Sequence, residues 1–162
     1  SLDYLAWAGK QMGDDEMLVE FRHASWYEED VRDEVLAFLE EQGMSLVVVD
    51  APKVEAKNVP RTLLAVTGPT VYLRFHGRNE KTWNSRGGSA AERFDYLYSD
   101  EELREWVEPL RELAGQAQNA YAFFNNNNRS PGDGGYGGYV AQGAANAQML
   151  KKLLAETPAA AR

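Results

Sequence analysis

The sequence contains no cysteine, which excludes disulfide bonds, thiolate metal ligands and a cysteine nucleophile. A chain without cysteine is typical of a reducing compartment, so we expect this protein in the cytoplasm. Histidine is also scarce, with only His23 and His76 present. Because no H-E-x-x-H or EF-hand pattern occurs, we predict no metal site, although Glu20 and Asp50 are suitable ligand types.

A surplus of positive charge is missing as well. The formal net charge is -8, which argues against sequence-independent binding of DNA or RNA, because phosphate contacts require an excess of lysine and arginine. No apolar run approaches the roughly 20 residues needed to cross a bilayer, and the first residues do not resemble a signal peptide. We therefore expect no nucleic-acid or membrane partner, whereas a small anionic ligand held locally stays possible.

The composition is that of a globular protein. Hydrophobic residues make up 44% and charged residues 26% of the 162-residue chain, which argues against extensive disorder. This length normally forms one domain with a substantial core. We predict a single domain over residues 1–156, followed by a frayed tail over residues 157–162.

Strands alternate with helices along the chain. Hydrophobic periodicity predicts strands over residues 17–23, 46–50, 71–76 and 119–125, and helices over residues 2–12, 26–42, 100–114 and 140–155. This order is typical of parallel strands joined by crossovers. The sequence therefore predicts an α/β fold of four parallel β/α units, either a small open sheet or half of an eight-stranded TIM-type (β/α)8 barrel.

Local signals refine these boundaries. Ser25 with Glu28, and Ser99 with Glu102, have the spacing of capping boxes at the starts of two helices. Pro109 is expected to kink the helix that contains it. One helical turn is predicted near residues 61–65, and the Asn- and Gly-rich segment 126–139 is expected to be mobile.

The segment Val71–Arg78 carries the clearest functional signal. Apolar side chains alternate there with Tyr72, Arg74 and His76, so one face of the strand is apolar and the other is polar. A buried arginine or histidine requires a partner or a ligand, because an unpaired buried charge is costly. This pattern predicts a polar pocket on one face of the third strand.

Polar side chains also follow the other strands. Because parallel β/α proteins bind ligands at the carboxyl ends of their strands, these side chains are expected to share one pocket. Carboxylate and imidazole groups permit acid–base chemistry, and arginine binds carboxylate or phosphate. The candidate catalytic residues are His76, Glu20 and Asp50, and the candidate ligand-binding residues are Arg22, Arg74, Arg78, Asn125, Asn126 and Tyr96.

Each of these residues also has a structural alternative. Glu20 or Asp50 could pair with Arg22 or Arg74 and join neighbouring strands, and His76 could be a satisfied core histidine. Tryptophans such as those at positions 26, 83 and 106 are more typical of packing than of ligand stacking.

Six segments resemble domain-of-unknown-function family 72, the YecE-like proteins. The order and spacing of all six match over about residues 15–155: Glu20–Trp26, Val48–Asp50, Val71–Arg78, Arg93–Ser99, Phe123–Asn126 and Ala145–Ala147. The resemblance implies kinship with TIM-type barrels and no established reaction. It also implies that the chain is similar to the carboxyl-terminal half of such a protein, with open sheet edges that favour association.

Three functional hypotheses follow. The complete protein could be an enzyme that acts on a small anionic or sugar-like substrate. Alternatively, the chain could be a non-catalytic anion-binding module, or a structural half-barrel that requires a partner half or a second copy. No cofactor is indicated by the sequence.

Overall fold

The computed structural model describes residues 1–54, 56–83, 90–133 and 137–156, whereas the predicted frayed tail lies outside these residues. The α-helices are α1 Leu2–Met12, α2 Glu29–Glu41, α3 Glu80–Trp83, α4 Ala90–Arg93, α5 Asp100–Arg104, α6 Val107–Ala114 and α7 Gln142–Glu156. The strands are β1 Leu18–Val19, β2 Ser45–Asp50, β3 Thr70–Phe75, β4 Asn119–Phe124, β5 Arg129–Pro131 and β6 Tyr139–Ala141. No described helix is long and apolar enough to cross a membrane.

Four parallel strands form the central sheet in the order β1-β2-β3-β4, which is also their order along the chain. A sheet wound in one direction in this way has the strand order of a β/α barrel, whereas a doubly wound sheet reverses direction partway. The predicted α/β fold of four parallel units resembling half of a TIM-type barrel is confirmed.

The two faces of the sheet have different neighbours. On the outer face, Val48, Leu73 and Phe75 pack against residues from α5, α6 and α7. On the inner face, Val47 and Val49 pack instead with residues of the connecting segments. Helices therefore cover the outer face, and the inner face is the one that would line a barrel.

The first strand is shorter than predicted. Only Leu18 and Val19 pair with β2, although the predicted strand extends over residues 17–23. Beyond this point the His23 imidazole accepts a hydrogen bond from the Ser25 backbone and opens a 3₁₀-helix over Ala24–Tyr27. Such local side-chain bonds compete with a strand ladder.

The capping box predicted at Ser25 is wrong. Helix α2 begins after Glu28, whose side chain makes no capping bond, while Ser25 lies within the preceding 3₁₀-helix. The second capping box is confirmed, because Ser99 and Glu102 exchange both bonds at the start of α5.

The predicted helix over residues 100–114 is instead two helices, α5 and α6. The break falls at Glu105 and Trp106, where the Trp106 backbone forms a tighter turn to Leu103. Pro109 lies in the first turn of α6, where its missing N–H would have no partner within the helix, and the break falls four residues before it, at the carbonyl that a proline ring crowds.

Two connecting segments also differ from expectation. No helical turn forms at residues 61–65, where the Thr62 hydroxyl donates to the backbone oxygen of Val49 instead. Part of the segment 126–139 is ordered as an antiparallel hairpin, since β5 pairs with β6 and Gly132 donates to Gly138. This strand pairing was not predicted from the sequence.

Candidate functional site

The structure divides the predicted site residues between two faces of the sheet. One group, which we call the inner cluster, lies on the inner face at the carboxyl ends of the strands and contains Glu20, Arg22, Arg74, His76 and Asn125. The other, which we call the outer network, lies between the sheet and α5–α6 and contains Asp50, Arg78, Tyr98, Glu102, Glu105 and Trp106. The single shared pocket expected from the sequence is thus two sites.

Glu20 is the centre of the inner cluster. One carboxylate oxygen lies 3.1 Å from Nε2 of His76 and 3.2 Å from the guanidinium of Arg22. The other oxygen accepts a hydrogen bond of 2.5 Å from Arg74. On the far side of the imidazole, the amide nitrogen of Asn125 lies 2.9 Å from Nδ1 of His76. These contacts join residues at or just after the carboxyl ends of β1, β3 and β4.

Exposure increases outward through the inner cluster. His76 is fully buried, and its ring lies beside those of Trp83 and Phe94. The exposed fraction is 11% for the Glu20 side chain, 33% for Arg74 and 53% for Arg22. The His76 imidazole therefore contacts Glu20 on its buried side, while the guanidinium groups of Arg22 and Arg74 reach solvent.

Glu20 is a carboxylate over nearly the whole pH range. Burial by itself raises its pKa, but the hydrogen bond with His76 and the positive charges of Arg74 and Arg22 outweigh burial and lower the pKa to about 2. Tyr27 lies within the field of this carboxylate. Burial and the charge of Glu20 raise the pKa of Tyr27, which remains a phenol that donates to the Phe21 carbonyl.

Asp50 is the centre of the outer network. Arg78 donates to both of its oxygens at 2.9–3.1 Å, the Tyr98 hydroxyl donates at 2.6 Å and the Trp106 indole donates at 3.1 Å. The residue is only 2% exposed. A carboxylate this buried and this fully bonded joins a strand to a helix and offers little access to a ligand.

Tyr98 connects the outer network to the turn after β3. Its hydroxyl donates to Asp50 and accepts a 2.9 Å bond from the backbone of Gly77. Burial and the nearby charge of Asp50 raise the pKa of Tyr98. Gly77 has a φ of +90°, and a Cβ there would lie 2.6 Å from Tyr96, so only glycine fits this turn.

Arg78 pairs with three carboxylates in the outer network. Besides Asp50, its guanidinium lies 3.0 Å from Glu105 and 3.7 Å from Glu102. Burial by itself lowers the pKa of Arg78, but bonds and charges from Asp50 and Glu105 outweigh burial and raise it. The structure therefore places Arg78 in a structural ion-pair network, and does not bring it to the inner cluster.

Asn126 and Tyr96 lie in a third set of contacts. The amide of Asn126 donates to Phe94 and accepts from Asn146, which in turn donates to the Tyr96 backbone. The Tyr96 hydroxyl donates to Glu102 at 2.6 Å. These bonds hold the segment before α5 against α7, so both residues support the two sites without reaching the inner cluster.

Several residues of these sites were not predicted from the sequence. Trp83 and Phe94 enclose His76, and Trp106 binds Asp50, which lies 56 residues away along the chain. Burial of the tryptophans at positions 83 and 106 was expected, but not their contacts. Within the described residues, no three histidine or acidic side chains converge as a metal-binding set.

The chain belongs to the family described as "Protein of unknown function DUF72", whose model matches residues 1–161. The UPF0759 protein YunF of Bacillus subtilis strain 168 is 35% identical over 127 residues, covering 76% of this chain and 45% of YunF. The match to the family confirms the resemblance seen in the six sequence segments.

Solved structures of the same family share the fold. A DUF72 family protein from Enterococcus faecalis V583 is 30% identical with a TM-score of 0.81, covering 97% of this chain and 54% of its own. One from Thermotoga maritima MSB8 is 36% identical with a TM-score of 0.75, covering 95% of this chain and 51% of its own. The chain thus spans about half the length of these relatives.

Proposed function

We propose that the inner cluster is a binding site for a small anionic, hydroxylated ligand, in keeping with the sugar-like substrate class expected from the sequence. Arg22 and Arg74 hold the anionic group, and Glu20 accepts hydrogen bonds from the ligand. His76 bonds Glu20 on its buried side, and Asn125 bonds the other nitrogen of His76. Asp50 and Arg78 stabilise the surrounding fold.

The observation that carries this proposal is the pair of partly exposed guanidinium groups on one buried carboxylate. Within the described part of the chain, Glu20 is the only acidic group that contacts either Arg22 or Arg74. Each guanidinium has five N–H donors in a planar fork, so donors remain for a second, bidentate anion. A purely structural ion pair would not require a second arginine that is half exposed.

Binding is favoured over catalysis by the charge state of Glu20. A general base works best when its pKa is near the operating pH, and a carboxyl group with a pKa of about 2 is a weak base at neutral pH. The carboxylate–imidazole pair of Glu20 and His76 supports an enzymatic role as the alternative. In that case His76→Ala abolishes turnover with little loss of binding.

The test is a titration of the ¹⁵N-labelled chain with inorganic phosphate and with D-gluconate, followed by NMR. We expect shifts at residues 20–23 and 74–77, and loss of these shifts in Arg22→Gln and Arg74→Gln. Arg104→Gln is the matched control, because Arg104 is 52% exposed and also pairs with a carboxylate, that of Asp100. Equal loss of binding in the control would refute a site at the inner cluster.

We further propose that the open edges of the sheet pair with a second half-barrel, for which a second copy of this chain is the simplest candidate. Tyr121 and Phe123 on β4 and Leu18 on β1 belong to the two edge strands and are exposed on the inner face of the sheet. An unpaired edge with exposed aromatic residues favours association.

Sedimentation equilibrium tests this association. We expect self-association that weakens in Tyr121→Lys, whereas Tyr139→Lys, at an equally exposed tyrosine of the β5–β6 hairpin, leaves it unchanged. A stable monomer at high concentration excludes pairing with a second copy.

A further inference from the structure

Glu20, His76 and Asn125 form a line of hydrogen bonds in which the protonation of His76 is constrained from both ends. Glu20 is ionised and can only accept, so Nε2 of His76 must carry a proton. At the other nitrogen, Nδ1, the partner is the amide nitrogen of Asn125, which is a donor. A proton on Nδ1 would place two donors against each other.

We propose that Asn125 holds His76 as the neutral Nε2–H tautomer, and that the ligand is therefore a singly charged hydroxy acid. The second part rests on the proposed function of the inner cluster. Asn125 acts here as a positioning residue, because it touches His76 and acts through it on Glu20.

The charge of the ligand follows from the charges that surround it. With His76 neutral, the two guanidinium charges of Arg22 and Arg74 exceed the single carboxylate charge of Glu20 by one. Tyr27, a further titratable group near Glu20 within the described residues, remains protonated. The cluster thus has one net positive charge, which a carboxylate ligand neutralises and a doubly charged phosphate exceeds.

The hydroxyl group follows from the bonding capacity of Glu20. A carboxylate has about four acceptor sites. Donors from His76, Arg22 and Arg74 already occupy three of the acceptor sites of Glu20. The Glu20 side chain keeps some exposure, so a ligand hydroxyl can donate to the remaining site. A ligand with both a carboxylate and a neighbouring hydroxyl satisfies both groups at once.

NMR of the chain with ¹⁵N-labelled histidine tests the tautomer directly. Only two histidines contribute signals, and His23→Gln assigns them, so exposed His23 is an internal reference. At neutral pH we expect a protonated Nε2 and an unprotonated Nδ1 for His76. A doubly protonated ring or an Nδ1–H form would overturn the proposal.

Asn125→Asp tests whether Asn125 sets the tautomer. The substitution replaces the amide donor with an acceptor, so Nδ1 of His76 gains a proton and its ¹⁵N signal moves to that of a protonated nitrogen. A structural role alone would lower stability without moving this signal. An unchanged His76 spectrum in a folded Asn125→Asp variant therefore contradicts the positioning role.

Titration with D-gluconate, acetate, sorbitol and inorganic phosphate tests the ligand class. We expect gluconate to bind at least about tenfold more tightly than acetate or phosphate, and sorbitol not to bind. In Glu20→Gln the preference for gluconate over acetate should shrink. Phosphate or acetate binding as tight as gluconate at Arg22 and Arg74 overturns the ligand class and leaves the proposed function standing. Absence of binding by every anion overturns both, whereas the tautomer is decided separately by the histidine spectra.

Discussion

The two buried carboxylates, Asp50 and Glu20, occupy similar places along the chain and do different things. Each comes at or just after the carboxyl end of a strand, and each has an arginine as a partner. Asp50 faces the helices, is almost wholly buried and has donors from three residues. Glu20 faces the inner surface, and its arginines reach solvent.

This difference shows that the face of the sheet decides the role of a strand-end carboxylate. On the helix side, Arg78, Tyr98 and Trp106 donate hydrogen bonds to the Asp50 carboxylate, so Asp50 stabilises the packing of the helices on the sheet. On the inner side, the arginines that pair with Glu20 are partly exposed, which is the basis of the proposed ligand site. The following substitutions test that contrast.

Asp50→Asn should have the largest effect. It removes the charge that balances Arg78 and leaves the Tyr98 and Trp106 donors poorly satisfied, so we expect a loss of about 3 kcal/mol in the free energy of unfolding. Urea denaturation measures this loss. Glu105→Gln, at an exposed partner of the same arginine, should cost less than about 1 kcal/mol. A similar loss in both variants would contradict the central role of Asp50.

The pH dependence of the unfolding free energy should reveal how much the Glu20 carboxylate stabilises the fold. Its pKa in the folded chain, about 2, lies below the ordinary value of 4.5, so the unfolded chain binds more protons between these values and stability falls as the pH falls. The contribution, about 3 kcal/mol, is complete above pH 4.5 and is lost as the pH approaches 2.

Urea denaturation of the wild type and of Glu20→Gln from pH 6 to pH 3 measures this contribution. The difference in unfolding free energy between the two proteins should stay constant from pH 6 to about pH 5 and then shrink toward pH 3. A constant difference would show that the charge of Glu20 does not stabilise the fold.

Tyr98→Phe should have a smaller effect than Asp50→Asn. The variant keeps the ring packing and removes one hydroxyl, which leaves the Gly77 backbone N–H without its acceptor. We expect a loss of about 1–2 kcal/mol by urea denaturation. Tyr96→Phe is the control, since the Tyr96 hydroxyl bonds the less buried Glu102 and its loss should cost less.

Arg22→Gln should have the smallest effect on stability. Arg22 is half exposed and contributes one screened ion pair, so the unfolding free energy should change by less than about 0.5 kcal/mol. If the inner cluster binds anions, the same variant should still weaken gluconate binding in the NMR titration. A large loss of stability would instead indicate that Arg22 is structural.

Much of the fold could be predicted from the sequence because its signals are local. The period of two in Val71–Phe75 placed Arg74 and His76 on the inner face, where the structure has them. The capping box at Ser99 fixed the start of α5. The shortening of β1 was not predicted, because an alternating pattern cannot show where hydrogen bonding to a neighbour stops.

The sequence by itself determined four parallel β/α units and a polar face on the third strand, since both follow from periodicity. Only the tertiary structure decided that Asp50 and Glu20 lie on opposite faces. The strand before Asp50 is apolar on both sides, so its sequence has no alternation that would reveal which way the carboxylate points. The partners that settle its role, Tyr98 and Trp106, lie 48 and 56 residues away and meet it only when the helices pack on the sheet.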